Sequence, residues 1–346
     1  MKHQQQIIEA YKRKVYIRNT LVVIGCALLL IISLIISMNT GYIKMSPLDV
    51  LRTLFGRGTE KEKLILFDFR LPRIIVSMLV GAGLSLSGCI IQSVSKNPLA
   101  DSGLLGINAG ASLMVILYVI IFSAESFLSV FTLPFLALIG AGATAIIVYL
   151  LSYKKDEGIE TIRLILTGVA IQAGISALTT LLVVKLDDTQ YNFVVSWMSG
   201  SIWGSSWKFV IAILPWLLVL IPYILRKSYV MDILNFSDDI AYSLGVSVNK
   251  ERKKLLAVAV SLAASCVAVS GSISFVGLIA PHLSRRLVGP RHRVLLLTSI
   301  LVGSVLVSIA DTIGRVIIEP SQIPTGIVVA IIGAPYFIYL LSNSKQ

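Results

Sequence analysis

Apolar runs long enough to cross a hydrocarbon core of about 30 Å recur along this chain from Ile17 to Leu341, and that repetition constrains the fold more than any other feature. Lipid offers no water to backbone N–H and C=O groups, so a spanning segment must be helical or belong to a closed barrel. The period-two alternation of a barrel strand is absent. The chain therefore reads as all-α, a polytopic transmembrane helical bundle with residues 1–346 in a single domain. Only 14% of residues are charged, against about a quarter in soluble domains, which excludes an ordinary water-soluble fold.

Length, flanking charge and Gly/Pro punctuation place about ten spans, at Ile17–Met38, Pro72–Ser93, Leu104–Phe122, Phe131–Leu151 and Thr161–Val184 in the first half. The second half holds Phe209–Leu225, Leu255–Gly271, Ser274–Leu287, Val294–Gly314 and Gly326–Leu341. The eighth is the shortest and contains Pro281 and His282. With both termini on the cytoplasmic side, 20 of the 30 basic residues and 9 of the 18 acidic residues fall inside, a balance of +11 inside and +1 outside. The Lys/Arg bias thus predicts N-in and C-in, in the cytoplasmic membrane. It also accounts for the net charge of +12 without nucleic acid, for which no basic-aromatic motif is present. The longest outside segment runs from about Asn39 to Leu71 and ends in R-L-P-R.

Cys26, Cys89 and Cys266 stand singly in apolar surroundings, so neither a disulfide framework nor a metal site is expected. The tetrad ending at Cys26 has the look of a lipoprotein processing site, but the apolar run continues through it to Ile36 as an ordinary span. Small residues crowd the second, third and fourth spans, at Gly81, Gly83, Ser85, Ser87, Gly88, Gly106, Gly110, Gly140 and Gly142. Such stripes let helix backbones approach closely where lipid removes the hydrophobic drive for association.

The spans hold no mid-membrane Asp or Glu for a proton relay, which disfavours an ion-coupled carrier. Asp311 stands one turn before Arg315, a spacing that an i,i+4 ion pair explains. No phosphate-binding G-x-x-x-x-G-K loop, H-E-x-x-H pair or nucleophile elbow occurs, so the chain is not expected to be an enzyme, and any ATP must be used by another polypeptide. No cofactor is implied.

One polar stretch breaks the apolar pattern. Residues 227–254, on the basic side, are too long for a simple tether and read as a docking surface for a soluble partner, with a solvated loop as the plain alternative. Within it, Ser237 is placed to cap a short helix that Asp238 and Asp239 would favour at its positive end, and Gly245 is placed to end it. Ala241 and Leu244 would then offer a small apolar contact surface.

Five motifs occur in order: R-L-P-R (Arg70 to Arg73) opening G-A-G-L-S-L-S-G, N-P-L-A-D-S-G-L-L-G (Asn97 to Gly106), F-V-G-L-I-A-P-H-L-S-R-R-L-V-G (Phe275 to Gly289), A-D-T-I-G-R (Ala310 to Arg315) and I-P-T-G (Ile323 to Gly326). Together they resemble the FecCD/BtuC-type permeases of binding-protein-dependent ABC importers for iron-siderophore, haem and cobalamin. The resemblance runs from about Ile17 to the end of the chain. It implies two permease subunits, identical or homologous, with two cytoplasmic ABC ATPases and an extracytoplasmic substrate-binding protein. In its terms Arg70, Arg73 and Arg315 would meet receptor carboxylates, although an arginine at a helix end also snorkels without any partner. Residues Ser237, Asp238, Asp239, Ala241, Leu244 and Gly245 would form the coupling helix against an ATPase. Asn97, Leu99, Glu160 and Thr161 would narrow the pathway at the cytoplasmic side, while Asn97 before Pro98 also reads simply as a turn initiator. The expected cargo is a ferric siderophore, with cobalamin or haem as the alternative and an ion-coupled carrier as the rival from outside the class.

Overall fold

In the computed structural model, the helix Leu71–Ser95 is the most buried of the long helices, with Val248–Ser270, Val276–Val288, His292–Val316 and Trp207–Arg226 packed against it. The structure describes residues 2–343 apart from 42, 44, 123–131, 155–157, 160, 203 and 319–320. In chain order the helices begin with α1 (Lys2–Asn39), α2 (Pro47–Leu54), α3 (Glu60–Lys63), α4 (Leu71–Ser95) and α5 (Ile107–Ile121). Next come α6 (Thr132–Ser152), α7 (Thr161–Val183), α8 (Asp188–Met198), α9 (Trp207–Arg226) and α10 (Ser228–Leu234). The set closes with α11 (Asp238–Ser243), α12 (Val248–Ser270), α13 (Val276–Val288), α14 (His292–Val316) and α15 (Thr325–Asn343). A two-residue antiparallel pair, Tyr153–Lys154 with Gly158–Ile159, joins α6 to α7.

Among the described residues, seven helical segments are long and apolar enough to cross a membrane, including Lys12–Asn39, Glu60–Ser95 and His292–Val316. Each of the ten expected spans falls on a helix, but three of these helices fall outside that set. At 13 residues α13 is about 20 Å long, two-thirds of a hydrocarbon core and shorter than a full crossing needs. The segment between Asn39 and Leu71 differs most from a plain exterior loop. Ser46 and Thr59 close capping boxes with Asp49 and Glu62, starting α2 and α3. A π-helical turn, Leu64–Arg70, then carries α3 without a break into α4. Sequence reading also passed over α8, which Asp187 starts by accepting from the Gln190 N–H at 2.8 Å.

Glycine sets how tightly α4 is held. A Cβ at Gly88 would lie 1.9 Å from the Gly277 carbonyl oxygen on α13, and one at Gly81 would lie 2.2 Å from that of Gly303 on α14. Backbone therefore touches backbone at both crossings, as small-residue packing requires. Hydroxyl and amide groups bridge α4 to its neighbours: Ser87 donates to the Ala259 carbonyl on α12 at 2.7 Å, Ser304 on α14 to that of Met78 at 2.8 Å, and Gln92 to that of Gly277 on α13 at 3.1 Å. Gly142, grouped with the others by sequence, faces open space instead.

Candidate functional site

Chemistry-bearing side chains gather at the two ends of the bundle. At one end, where α1 finishes and α4 begins, Arg73 turns inward from the first turn of α4 and is 9% exposed. Its Nε and Nη2 donate to the Asp311 carboxylate on α14 at 2.9 to 3.1 Å, and Nη1 donates to Gln322 Oε1 at 2.7 Å. Thr325 Oγ1 donates to the same carboxylate at 3.1 Å. The Arg315 Nε lies 3.3 Å from the other carboxylate oxygen, and its Nη2 donates to Ser37 Oγ on α1. Arg70, in the π-helical turn, donates to the carbonyls of Met38 and Ile43.

The three arginines named from sequence thus come together, but as inward-facing groups that tie α1, α4, α14 and the turn before α15 to one another. The expected i,i+4 pair of Asp311 with Arg315 is present, while the fork from Arg73 to Asp311 spans two helices that no local pattern connects. Two guanidinium groups share one carboxylate while Arg70 is held by carbonyl oxygens alone, so this cluster keeps an excess of positive charge. A cavity of about 350 Å³ opens beside Arg73, lined by Ser196, Ser321, Gln322 and Pro324 among others.

At the other end, the polar stretch 227–254 is ordered structure rather than a solvated loop. Its first part forms α10 and α11, and its last seven residues already belong to α12, which extends about two turns beyond the expected span. Ser237 holds the N-cap position of α11 with extended backbone, yet its side chain accepts no capping hydrogen bond. Asp238 is drawn elsewhere: its two oxygens take a bidentate pair from Arg252 on α12, both at 2.8 Å, and one also lies 3.1 Å from Lys96 at the end of α4. Burial pushes the Asp238 carboxyl up, but the hydrogen bonds and charges of Arg252 and then Lys96 outweigh it and hold the group below the ordinary carboxylate range. Lys96 also donates to the Phe236 carbonyl at 2.8 Å, and Lys227 pairs with Glu251 at 2.7 Å.

Gly245, at φ +82°, follows the last turn of α11, where the N–H of Val246 reaches back to the Ala241 carbonyl at 3.0 Å in the manner of a Schellman closure. Ala241 is buried at 1% exposure, which corrects its placement on an outward apolar surface: its methyl points into the bundle because α11 lies flat against α12. Leu244 is exposed, and so are Phe236 and Ile240, eight and four residues before it. Residues 236, 240 and 244 therefore form the outward apolar row, with Asp239 exposed beside it.

Asn97 and Leu99 lie just past the end of α4. The Asn97 Oδ1 accepts from the Leu99 N–H at 2.9 Å, and Lys96 takes a left-handed conformation at φ +51°, so this is a tight turn. It leads to a single turn at Ser102–Leu105 that packs against α7. Thr161 is the first residue of α7, and Glu160 lies outside the described residues.

The match that decides the family covers residues 29–343, which fit the model of the FecCD transport family. The chain belongs to the FecCD transport family. Among curated relatives, it is 49% identical over 322 residues to the iron(3+)-hydroxamate import system permease protein FhuG of Bacillus subtilis, spanning 92% of this chain and 95% of that one. It is 40% identical to the iron-uptake system permease protein FeuC of the same organism, over 92% and 96%. Among solved structures, a transporter assigned to the metal-chelate ABC type, in an inward-facing conformation, superposes with a TM-score of 0.81 at 32% identity, covering 93% of this chain and 98% of that chain. This FecCD chain is thus a permease subunit of an ABC transporter, a multi-pass protein of the cytoplasmic membrane and not itself an enzyme. The family works with ABC ATPase and substrate-binding partners.

Proposed function

We propose that this permease forms the membrane path of an importer for a ferric siderophore of the hydroxamate class, energised by separate ATPase subunits. The observation that carries the reading is the 49% identity to an iron(3+)-hydroxamate import permease along nearly the whole chain. Ten helices make the passage, α13 contributing a half-span, with both termini in the cytoplasm. The arginine end then faces outward, where its excess positive charge fits an acidic substrate-binding protein. Arg73, beside the outer cavity, is the best placed of Arg70, Arg73 and Arg315 for that contact.

The α10–α11 segment, within residues 227–254, serves as the coupling element. Its row of Phe236, Ile240 and Leu244 suits an apolar groove on the ATPase, and Asp238 carries the force inward. One carboxylate holds both α12, through Arg252, and the end of α4, through Lys96, so displacement of α11 is delivered next to Asn97 and Leu99. Closure of the ATPase pair would bias the bundle between outward-open and inward-open states through that linkage. With Thr161, the first residue of α7, and Glu160, which precedes it in the sequence, this turn is the cytoplasmic gate of the proposal.

A second permease subunit is supported by α7. Its spanning window is only 17% buried, and its uncovered face carries small residues, Ala170, Ala173, Gly174 and Ala177, where a purely lipid-facing helix has no need of them. Haem is the second reading, since both ring nitrogens of His282 and the Tyr336 hydroxyl are buried without hydrogen-bond partners among the described residues.

Uptake of radiolabelled iron as a trihydroxamate, catecholate or citrate chelate, and of haem, in cells with and without this gene tests the assignment. Loss of hydroxamate uptake that depends on ATP and not on the ion gradient supports it. Loss of haem uptake alone would move the assignment to haem, and dependence on the gradient would overturn the ABC reading.

A further inference from the structure

An open cleft of about 1480 Å³ separates the first half of α1 from α10 and the start of α14. Four cations stand around its mouth: Lys12 and Arg13 on α1, and Arg291 and Arg293 at the opening of α14. All four are exposed, and none makes a hydrogen bond or ion pair among the described residues. The carboxylate in the wall, Asp232, is already engaged, accepting from the His292 N–H at 2.9 Å and lying 2.7 Å from His292 Nδ1. Burial raises the Asp232 carboxyl, but the His292 hydrogen bonds and charge, with a smaller contribution from the charge of Arg291, outweigh this and leave it below its ordinary range, so it stays an anion held chiefly by His292. One carboxylate thus faces the mouth, and Lys12, Arg13 and Arg293 make no ion pair among the described residues.

The interior of the cleft is different in kind. Val23, Ile24, Leu225 and Leu297 line it, with Ile24 and Leu297 half exposed. From Lys12 to Ile24 the rise along α1 is about 18 Å, close to the depth of one leaflet of a bilayer whose hydrocarbon core is about 30 Å. Tyr16 and Tyr229, each more than 70% exposed, flank the mouth at the level where aromatic rings favour the membrane interface. A free phosphate would satisfy the cations and leave the apolar wall bare. A charged head joined to a hydrocarbon tail satisfies both.

We propose that this cleft binds one anionic phospholipid of the inner leaflet, its headgroup between Lys12, Arg13, Arg291 and Arg293 and an acyl chain along Ile24 and Leu297. The leaflet rests on the orientation given above, whereas the lipid class rests on the cleft alone. Bound there, the lipid would clamp α1 to α10, the first helix of the coupling segment.

The test is native mass spectrometry of the full chain, released from detergent after incubation with phosphatidylglycerol or phosphatidylcholine. Phosphatidylglycerol should be retained in preference, and replacing the four cations together (Lys12→Gln, Arg13→Gln, Arg291→Gln, Arg293→Gln) should reduce retention about tenfold or more. The matched set Arg52→Gln, Arg57→Gln, Lys61→Gln and Lys208→Gln, at the opposite end of the bundle, should retain lipid as the wild type does. Thr20→Trp, which fills the cleft without changing charge, should also lower retention. Equal retention of both lipids, undiminished retention in the first set, or equal loss in the matched set would overturn the proposal, as would inorganic phosphate adducts with no lipid retained. Labelling of an Arg13→Cys variant by an impermeant thiol reagent in intact cells reads the orientation separately, so the two can fail independently.

Discussion

Arg73 and Asp311 stand 238 positions apart in the chain, yet two nitrogens of the one donate to the carboxylate of the other at 2.9 to 3.1 Å, closing α4 against α14. Asp311 is 1% exposed and also faces Arg315, so it neutralises two guanidinium groups at once. Removing it strands both. Asp311→Asn should lower stability by about 3–5 kcal/mol, read as a fall in the melting temperature of the detergent-solubilised protein. An unchanged melting temperature would mean that water, not Asp311, balances the arginines.

The orientation of α11 separates two kinds of substitution. Ile240→Arg and Leu244→Arg alter exposed positions, so the protein should insert and accumulate normally while transport falls at least about tenfold, the effect expected of lost apolar anchors. Ala241→Arg places a long charged chain at a site with 1% exposure and should reduce the amount of folded protein as well. Uptake and membrane content measured together distinguish these outcomes. Wild-type uptake in Leu244→Arg would remove the outward row from the coupling surface.

The Asp238 linkage has a pH signature. Its carboxyl is held below the usual range in the folded state, so its contribution is present above the unfolded value of about 3.9 and is lost only as pH falls through the lower folded value. Coupling of ATP hydrolysis to transport should therefore stay level from about pH 8 down to about pH 5 as far as this group is concerned. Asp238→Asn should uncouple hydrolysis from transport throughout that window, measured as ATP consumed per iron imported in proteoliposomes. A normal ratio in this variant would show that α11 acts without its anchor.

Glycine positions should divide sharply by contact rather than by spacing. Gly88→Ala forces a methyl within 1.9 Å of the Gly277 carbonyl oxygen and must push α13 away from α4. Gly142→Ala meets nothing within 4 Å and, by helix propensity, should be neutral or stabilising by up to about 1 kcal/mol. Thermal melts of the two variants check this, and equal melting temperatures would argue against the close crossing.

Much of the candidate site was legible as residue types and hardly at all as geometry. Gly245 after a short amphipathic stretch was enough to end α11, because positive φ is a local property of glycine. Ser237 was read as a side-chain cap and is only a positional one, since Arg252 and Lys96 draw the next residue into long-range pairs. Ala241 was assigned outward because a six-residue helix shows too little periodicity to fix its rotation. Arg70 was named from its motif, but its carbonyl acceptors at Met38 and Ile43 carry no side-chain signal at all.

The sequence by itself determined a bundle of apolar helices, the basic side of that bundle and the small-residue faces on which it packs, because bilayer thickness, charge placement and side-chain volume act on local stretches of chain. Only the tertiary structure decided that α13 stops at 13 residues, that Arg73 and Arg315 share one carboxylate, and that Asp238 joins α11 to both α4 and α12. These depend on which helices come into contact, and in lipid that choice is made by close packing and by the pairing of buried polar groups across helices, interactions between residues far apart in the chain.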